Sequence, residues 1–134
     1  MTDLMLLALQ ARACAHAPYS GFQVGCAVLA QDGRVFLGCN VENASYGLCN
    51  CAERGALFAA IAAGCRPGQF LSLAVVADTP EPVSPCGACR QVMLELGGPE
   101  LELRLGNLAG AVMLTTPSRL LPMAFGLPGA AASR

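Results

Sequence analysis

Residues 70–77 read Phe-Leu-Ser-Leu-Ala-Val-Val-Ala, an apolar run of strand length with no polar alternation. Such a run is consistent with a strand buried on both faces. Burial on both faces requires helices above and below a sheet, and the rest of the chain supplies them. Thr2 and Asp3 can cap a helix reaching to about residue 15. Residues 22–30 and 35–39 are strand-like, and Asp32-Gly33 between them is a hairpin turn signal. Residues 51–63, rich in alanine, read as helix with Gly64 as the stop. Residues 87–96 read as a further helix, ended by Gly97-Gly98. Residues 101–105 and 111–115 are strands, and residues 120–125 a short last helix. The segments 17–21, 40–50 and 78–85 are loops.

This order predicts an α/β fold: a three-layer α/β/α sandwich with a mixed five-stranded sheet and helices on both faces. The last two strands are joined by residues 106–110 only. A parallel crossover needs a dozen residues or more, so these two strands are expected to be antiparallel.

A chain of 134 residues has the length of one domain. Residues 1–125 are assigned to it, and residues 126–134 form a short, loosely held tail with little to offer a core. Charged residues make up 13 %, against about 25 % in an ordinary soluble domain. That composition excludes intrinsic disorder and suits one subunit of a tight oligomer. All eight basic residues are scattered arginines, so no basic run exists to follow a nucleic acid backbone. No apolar stretch is long enough to span a membrane. Leu4–Leu9 is apolar, but Asp3 stands where a signal peptide carries positive charge. Eight cysteines without an export signal, two of them as Cys-x-x-Cys, point to reduced thiols and the cytoplasm.

Two segments carry candidate chemistry: Cys51-Ala-Glu-Arg54 and Pro85-Cys-Gly-Ala-Cys-Arg90. Each opens a predicted helix after a strand and loop, where ligands bind in α/β sheets. Three thiolates, from Cys51, Cys86 and Cys89, can hold Zn²⁺ and leave one tetrahedral position open. Helix N-termini favour thiolate over thiol, and Arg54 and Arg90 are placed to donate to the sulfurs. Glu53 is close enough in sequence to move a proton from a water held there to a substrate nitrogen. Two blander readings stand beside this one. The Cys-x-x-Cys could be a redox pair, or the zinc could be structural with Cys49 as its fourth ligand. Cys14, Cys26, Cys39, Cys49 and Cys65 read as buried small hydrophobes. His16 reads as a cation at the end of the first helix.

The pattern Cys-x-Glu followed by Pro-Cys-x-x-Cys is the zinc deaminase signature. A finer likeness runs through Ala17-Pro-Tyr-Ser-Gly-Phe-Gln-Val-Gly25, Gly38-Cys-Asn-Val-Glu-Asn-Ala44 with Tyr46, and the two segments above, extended to Ser84 and Gln91. Leu120-Leu-Pro122 and Phe125 complete it. The chain resembles the small, homotetrameric cytidine deaminases of pyrimidine salvage. That resemblance implies one Zn²⁺ per subunit on Cys51, Cys86 and Cys89, with Glu53 as proton shuttle in the hydrolytic deamination of a nucleoside. It implies that Asn40 and Glu42 bind the ribose 3′-hydroxyl, and that Phe22 and Ala52 lie against the nucleoside. Ala44, Tyr46 and Phe125 would reach a nucleoside bound in a neighbouring subunit.

Overall fold

A computed structural model describes residues 3–128. Thr2 and residues 129–134 of the expected tail lie outside the described residues. The first helix, α1, spans Leu4–Arg12. The Asp3 carboxylate caps it by accepting from the N–H groups of Met5 (3.1 Å) and Leu6 (3.2 Å). It stops about three residues short of expectation. The N–H groups of Cys14 and Ala15 turn back to Ala11 and Arg12, and His16 N–H donates instead to the Asn40 carbonyl at 3.0 Å. Pairing with the loop after the hairpin therefore draws the chain off the helix. His16 is correspondingly not at a helix end; its backbone pairs with Val41.

The sheet has the order β2-β1-β3-β4-β5. Strand β1 (Val24–Ala30) forms the predicted hairpin with β2 (Val35–Cys39) and pairs antiparallel with β3 (Phe70–Ala77) on its other side. Strand β4 (Glu102–Asn107) runs parallel to β3, and β5 (Val112–Thr115) antiparallel to β4, as the short connection required. Strand β3 is central, and all of it but Leu71 is buried. Strand β1 begins two residues later than expected. There the Asn40 side chain takes over from the ladder: it donates to the Phe22 carbonyl (2.7 Å) and accepts from Val24 N–H (2.8 Å).

One face of the sheet, with Ala27, Ala74 and Val76, is covered by Leu4 and Ala8 of α1. The other, with Val28, Leu73, Val75 and Leu103, packs against Ala56, Leu57 and Ala60 of α2 (Ala52–Ala62) and against Cys89 of α3 (Gly87–Val92). The three-layer sandwich is thus formed with helices on both faces. Helix α3 does not run on regularly to residue 96. It widens into a π-helical turn over Met93–Gly97. The last helix also lies earlier than expected. It is α4, Pro117–Leu120, begun by a proline at its first turn. Pro122 disfavours helical backbone at Leu121, and Met123 adopts a left-handed φ of 54°.

Two glycines set the spacing of the layers. A Cβ on Gly25 would lie 2.0 Å from the Ala8 carbonyl oxygen, so α1 rests directly on β1. A Cβ on Gly38 would lie 2.2 Å from the Ala52 carbonyl oxygen and 2.4 Å from Ala56 N, so α2 rests directly on β2. Among the described residues no helix is long and apolar enough to cross a membrane.

Candidate metal centre and active site

Cys51 and Cys86 occupy the N-cap positions of α2 and α3. The two helices therefore bring their N-terminal ends to one place, with Glu53 in the first turn of one and Cys89 in the first turn of the other. The sulfurs of Cys51, Cys86 and Cys89 all lie within 4.8 Å of one another, and the Cys51 and Cys86 sulfurs are 3.6 Å apart. Two sulfurs each about 2.3 Å from one tetrahedral zinc lie about 3.8 Å apart. Cys86 Sγ also accepts from the Cys89 N–H (3.4 Å), and Arg54 Nη2 donates to Cys51 Sγ (3.2 Å).

Electrostatics prepares the trio for a cation. Hydrogen bonds from the Cys89 thiol and the Arg54 guanidinium hold the Cys51 thiol down to about 5. The same sharing with Cys51, together with burial, pushes Cys89 up. A metal bound to these sulfurs would displace their protons. Glu53 is 4 % exposed. Burial raises its carboxyl to about 7, and the neighbouring Cys51 charge adds to the rise. Soft sulfur donors, a stabilised thiolate and a compensating arginine fit Zn²⁺.

Cys49, the fourth ligand of the structural-zinc reading, is not part of the group. Its sulfur accepts from Asn43 N–H (3.3 Å) and its thiol faces the Asn43 carbonyl (3.6 Å). Arg90 is placed differently from expectation. It donates to the Pro85 carbonyl (2.8 Å), the Leu120 carbonyl (2.9 Å) and Ser84 Oγ (2.6 Å), and so braces the loop before Cys86 instead of a sulfur. Of the five remaining cysteines, Cys26 and Cys65 are buried as expected. Cys39 and Cys49 are only half-buried and Cys14 is exposed, because they lie at a strand end, in a loop and in a turn beyond the core layers.

A cavity of about 190 Å³ opens beside the trio. Phe22, Asn40, Ala52 and Glu53 line it together with Cys51 and Cys86. Val24, Val83 and Ser84 line it too. Sequence reasoning gave none of these three a role in the site, although Val24 and Ser84 stand inside stretches that carry the resemblance and Val83 adjoins one. Glu42 and Tyr46 instead line a separate cleft of about 280 Å³ with Tyr19, Ser20, Asn43 and Cys49. The Glu42 carboxylate accepts from the N–H groups of Tyr19 (2.9 Å) and Ser20 (3.1 Å) and from the Ser20 hydroxyl. The Ser20 bonds hold it below the usual carboxylate range. Tyr46 meets Tyr19 edge-to-face at 6.4 Å. Ala44 is exposed, as are Tyr46 (77 %) and Phe125 (70 %), and none of the three lines the cavity of its own chain.

Comparisons with known proteins agree with this geometry. Residues 1–103 match the cytidine and deoxycytidylate deaminase zinc-binding region. The chain is 58 % identical over 118 residues to a cytidine deaminase of Halalkalibacterium halodurans, covering 88 % of each chain. It is 47 % identical over 127 residues to one of Mycobacterium tuberculosis, covering 90 % of this chain and 85 % of the relative. Its fold superposes on the crystal structure of cytidine deaminase from Burkholderia pseudomallei with a TM-score of 0.91 at 61 % identity, covering 93 % of this chain and all of the other. With its sulfur trio, buried glutamate and three-layer sheet, the chain belongs to the zinc-binding cytidine deaminase family.

Proposed function

We propose that this chain hydrolyses cytidine and deoxycytidine to uridine and deoxyuridine, releasing ammonia, and that it serves pyrimidine salvage in the cytoplasm. The observation that carries this reading is the convergence of Glu53 and the sulfur trio on one small cavity, with Cys49 turned away from it. Cys51, Cys86 and Cys89 would hold Zn²⁺. Once bound, zinc acts as a Lewis acid that makes water a competent nucleophile near neutral pH. Glu53 takes the proton from the attacking water and gives it to ring N3, and then moves the remaining hydroxyl proton from C4 to the departing amine as the C4 carbonyl forms. Addition of water at C4 and loss of ammonia balance the reaction. A carboxyl raised to about 7 by burial can both accept and release that proton near neutrality.

The remaining residues fit a nucleoside. Phe22 offers an aromatic face for the base, and Ala52 presents no bulk. The Asn40 amide has committed its oxygen and one of its two donor hydrogens, so one donor remains for a ribose hydroxyl. Glu42 is oriented by Ser20 and Tyr19 to accept from the same sugar. Among the described residues the cavity lining contains no basic side chain, which favours an uncharged nucleoside over its phosphate. Ala44, Tyr46 and Phe125 stand away from the cavity of their own chain, and a homotetramer with shared sites gives them a role. Residues 1–125 form the deaminase domain in this reading, with the segment from 126 onward as its tail.

Ultraviolet absorbance of cytidine conversion, run for wild type and Glu53→Ala, tests the assignment. Glu53→Ala is expected to keep its zinc and lose turnover by at least about 10²- to 10⁴-fold, the range of general acid–base catalysis. Retained turnover would remove Glu53 as shuttle. Equal rates on cytosine and cytidine would remove Asn40 and Glu42 as ribose ligands.

A further inference from the structure

Helix α3 also makes hydrogen bonds on the side away from the metal ligands. Cys89 belongs to the sulfur trio, and Gln91 follows two residues later, about 200° around the helix. The Gln91 side-chain amide donates to the Phe125 carbonyl at 3.1 Å. One residue earlier, Arg90 donates to the Leu120 carbonyl at 2.9 Å. These two bonds bracket the turn between α4 and Phe125, the turn in which Met123 takes its left-handed backbone. A short segment that lacks helix or strand of its own is thus tied at both ends to the helix that presents Cys86 and Cys89.

We propose that Gln91 is a positioning residue: by holding the Phe125 carbonyl, it sets the Phe125 ring where that ring closes over a base bound by a neighbouring subunit. This rests on the shared-site reading above. The amide reaches only backbone, so its role does not depend on which side chains flank the ring. The bond joins the helix bearing the metal ligands to the segment bearing the aromatic contact. One chain thereby registers its own metal site and its contribution to the next site against the same short helix.

The test is a four-protein cycle measuring KM and kcat for cytidine: wild type, Gln91→Met, Phe125→Ala and the double variant. Gln91→Met removes the donor while keeping the length. It should raise KM about three- to ten-fold, the scale of one neutral hydrogen bond, with kcat and zinc content held. Gln91→Glu, of the same shape but with no amide donor, should give the same rise and guards against poor folding of Gln91→Met. In the Phe125→Ala background Gln91→Met should add nothing. An unchanged KM in both Gln91 variants, or an effect undiminished without the Phe125 ring, overturns the proposal. If Phe125→Ala itself leaves KM unchanged, the shared-site role of Phe125 fails, and the positioning role of Gln91 fails with it.

Discussion

Glu53 and Cys51 stand two residues apart, yet their surroundings move their acidities in opposite directions. Burial dominates at Glu53 and raises it to about 7, while hydrogen bonds from Cys89 and Arg54 dominate at Cys51 and lower it to about 5. The rise at Glu53 has a consequence for the metal-free protein. Because the folded state binds that proton more tightly, its contribution to stability is greatest below about pH 4.5 and is lost as pH rises to about 7. Cys51 works in the reverse direction, so the Glu53 contribution has to be isolated by difference. After chelation of zinc, Glu53→Gln should be increasingly more stable than wild type as the pH is raised from 4.5 to 7, with a constant gap above. Thermal unfolding across that range checks it, and a pH-independent gap would contradict it. At this scale the sequence was most legible where function is local. The ligand cysteines and Glu53 lie in two short segments, and helix N-termini place them without help from distant residues. Arg90 was misread for the complementary reason. Its position in sequence puts it near the sulfurs, but its side chain follows the Ser84–Pro85 turn. Cys49, a fourth ligand only in the alternative reading, turns its sulfur to the Asn43 backbone.

Among the elements, the hairpin was legible almost to the residue, because Asp32-Gly33 and the flanking apolar runs are local signals. Strand β3 was legible because eight residues of which seven are apolar allow few alternatives. The C-terminal end of α1, the start of β1 and the π-helical turn after Val92 were not. Each is decided by a partner far along the chain: Asn40 for the first two, and packing of Met93 against the sheet for the third. The contact between β2 and α2 is equally invisible in the sequence and leads to a sharp expectation. Gly38→Ala would drive a methyl group against the Ala52 carbonyl oxygen and Ala56 N. These are backbone atoms in the turn that follows Cys51 and cannot rotate aside. The substitution should destabilise the protein by about 3 kcal/mol or more and lower zinc occupancy. Both can be read from denaturant unfolding and metal analysis of one preparation. A stable, zinc-replete Gly38→Ala protein would show that α2 can retreat without losing the trio.

Over the whole molecule, apolar surface outruns what a solitary small protein needs. Phe58 on α2, Leu71 on β3 and Val112, Met113 and Leu114 on β5 are each roughly half exposed or more, and charged residues are scarce. Assembly into four copies would cover such surface. Phe58 is 47 % exposed on the helix that carries Glu53. Phe58→Glu should therefore shift sedimentation from a four-chain species to a smaller one at micromolar concentration. It should raise KM for cytidine at the same time, as Tyr46 and Phe125 of neighbouring copies are withdrawn. A wild-type monomer with full activity would end the shared-site reading.

The two side-chain-free contacts in the hairpin also have a mechanical meaning. Between α1 and β1, and again between β2 and α2, backbone meets backbone with no side chain between to yield. Tightly packed matter of this kind passes a displacement on and does not absorb it. A small push on the outer face of α1, at Leu6, would travel through Gly25 into the hairpin. From there it would pass through Gly38 into the first turn of α2, where Cys51 and Glu53 stand. The far side of the sheet is thereby a lever on the turn that holds Glu53, and its stroke is set by two residues that have no side chain.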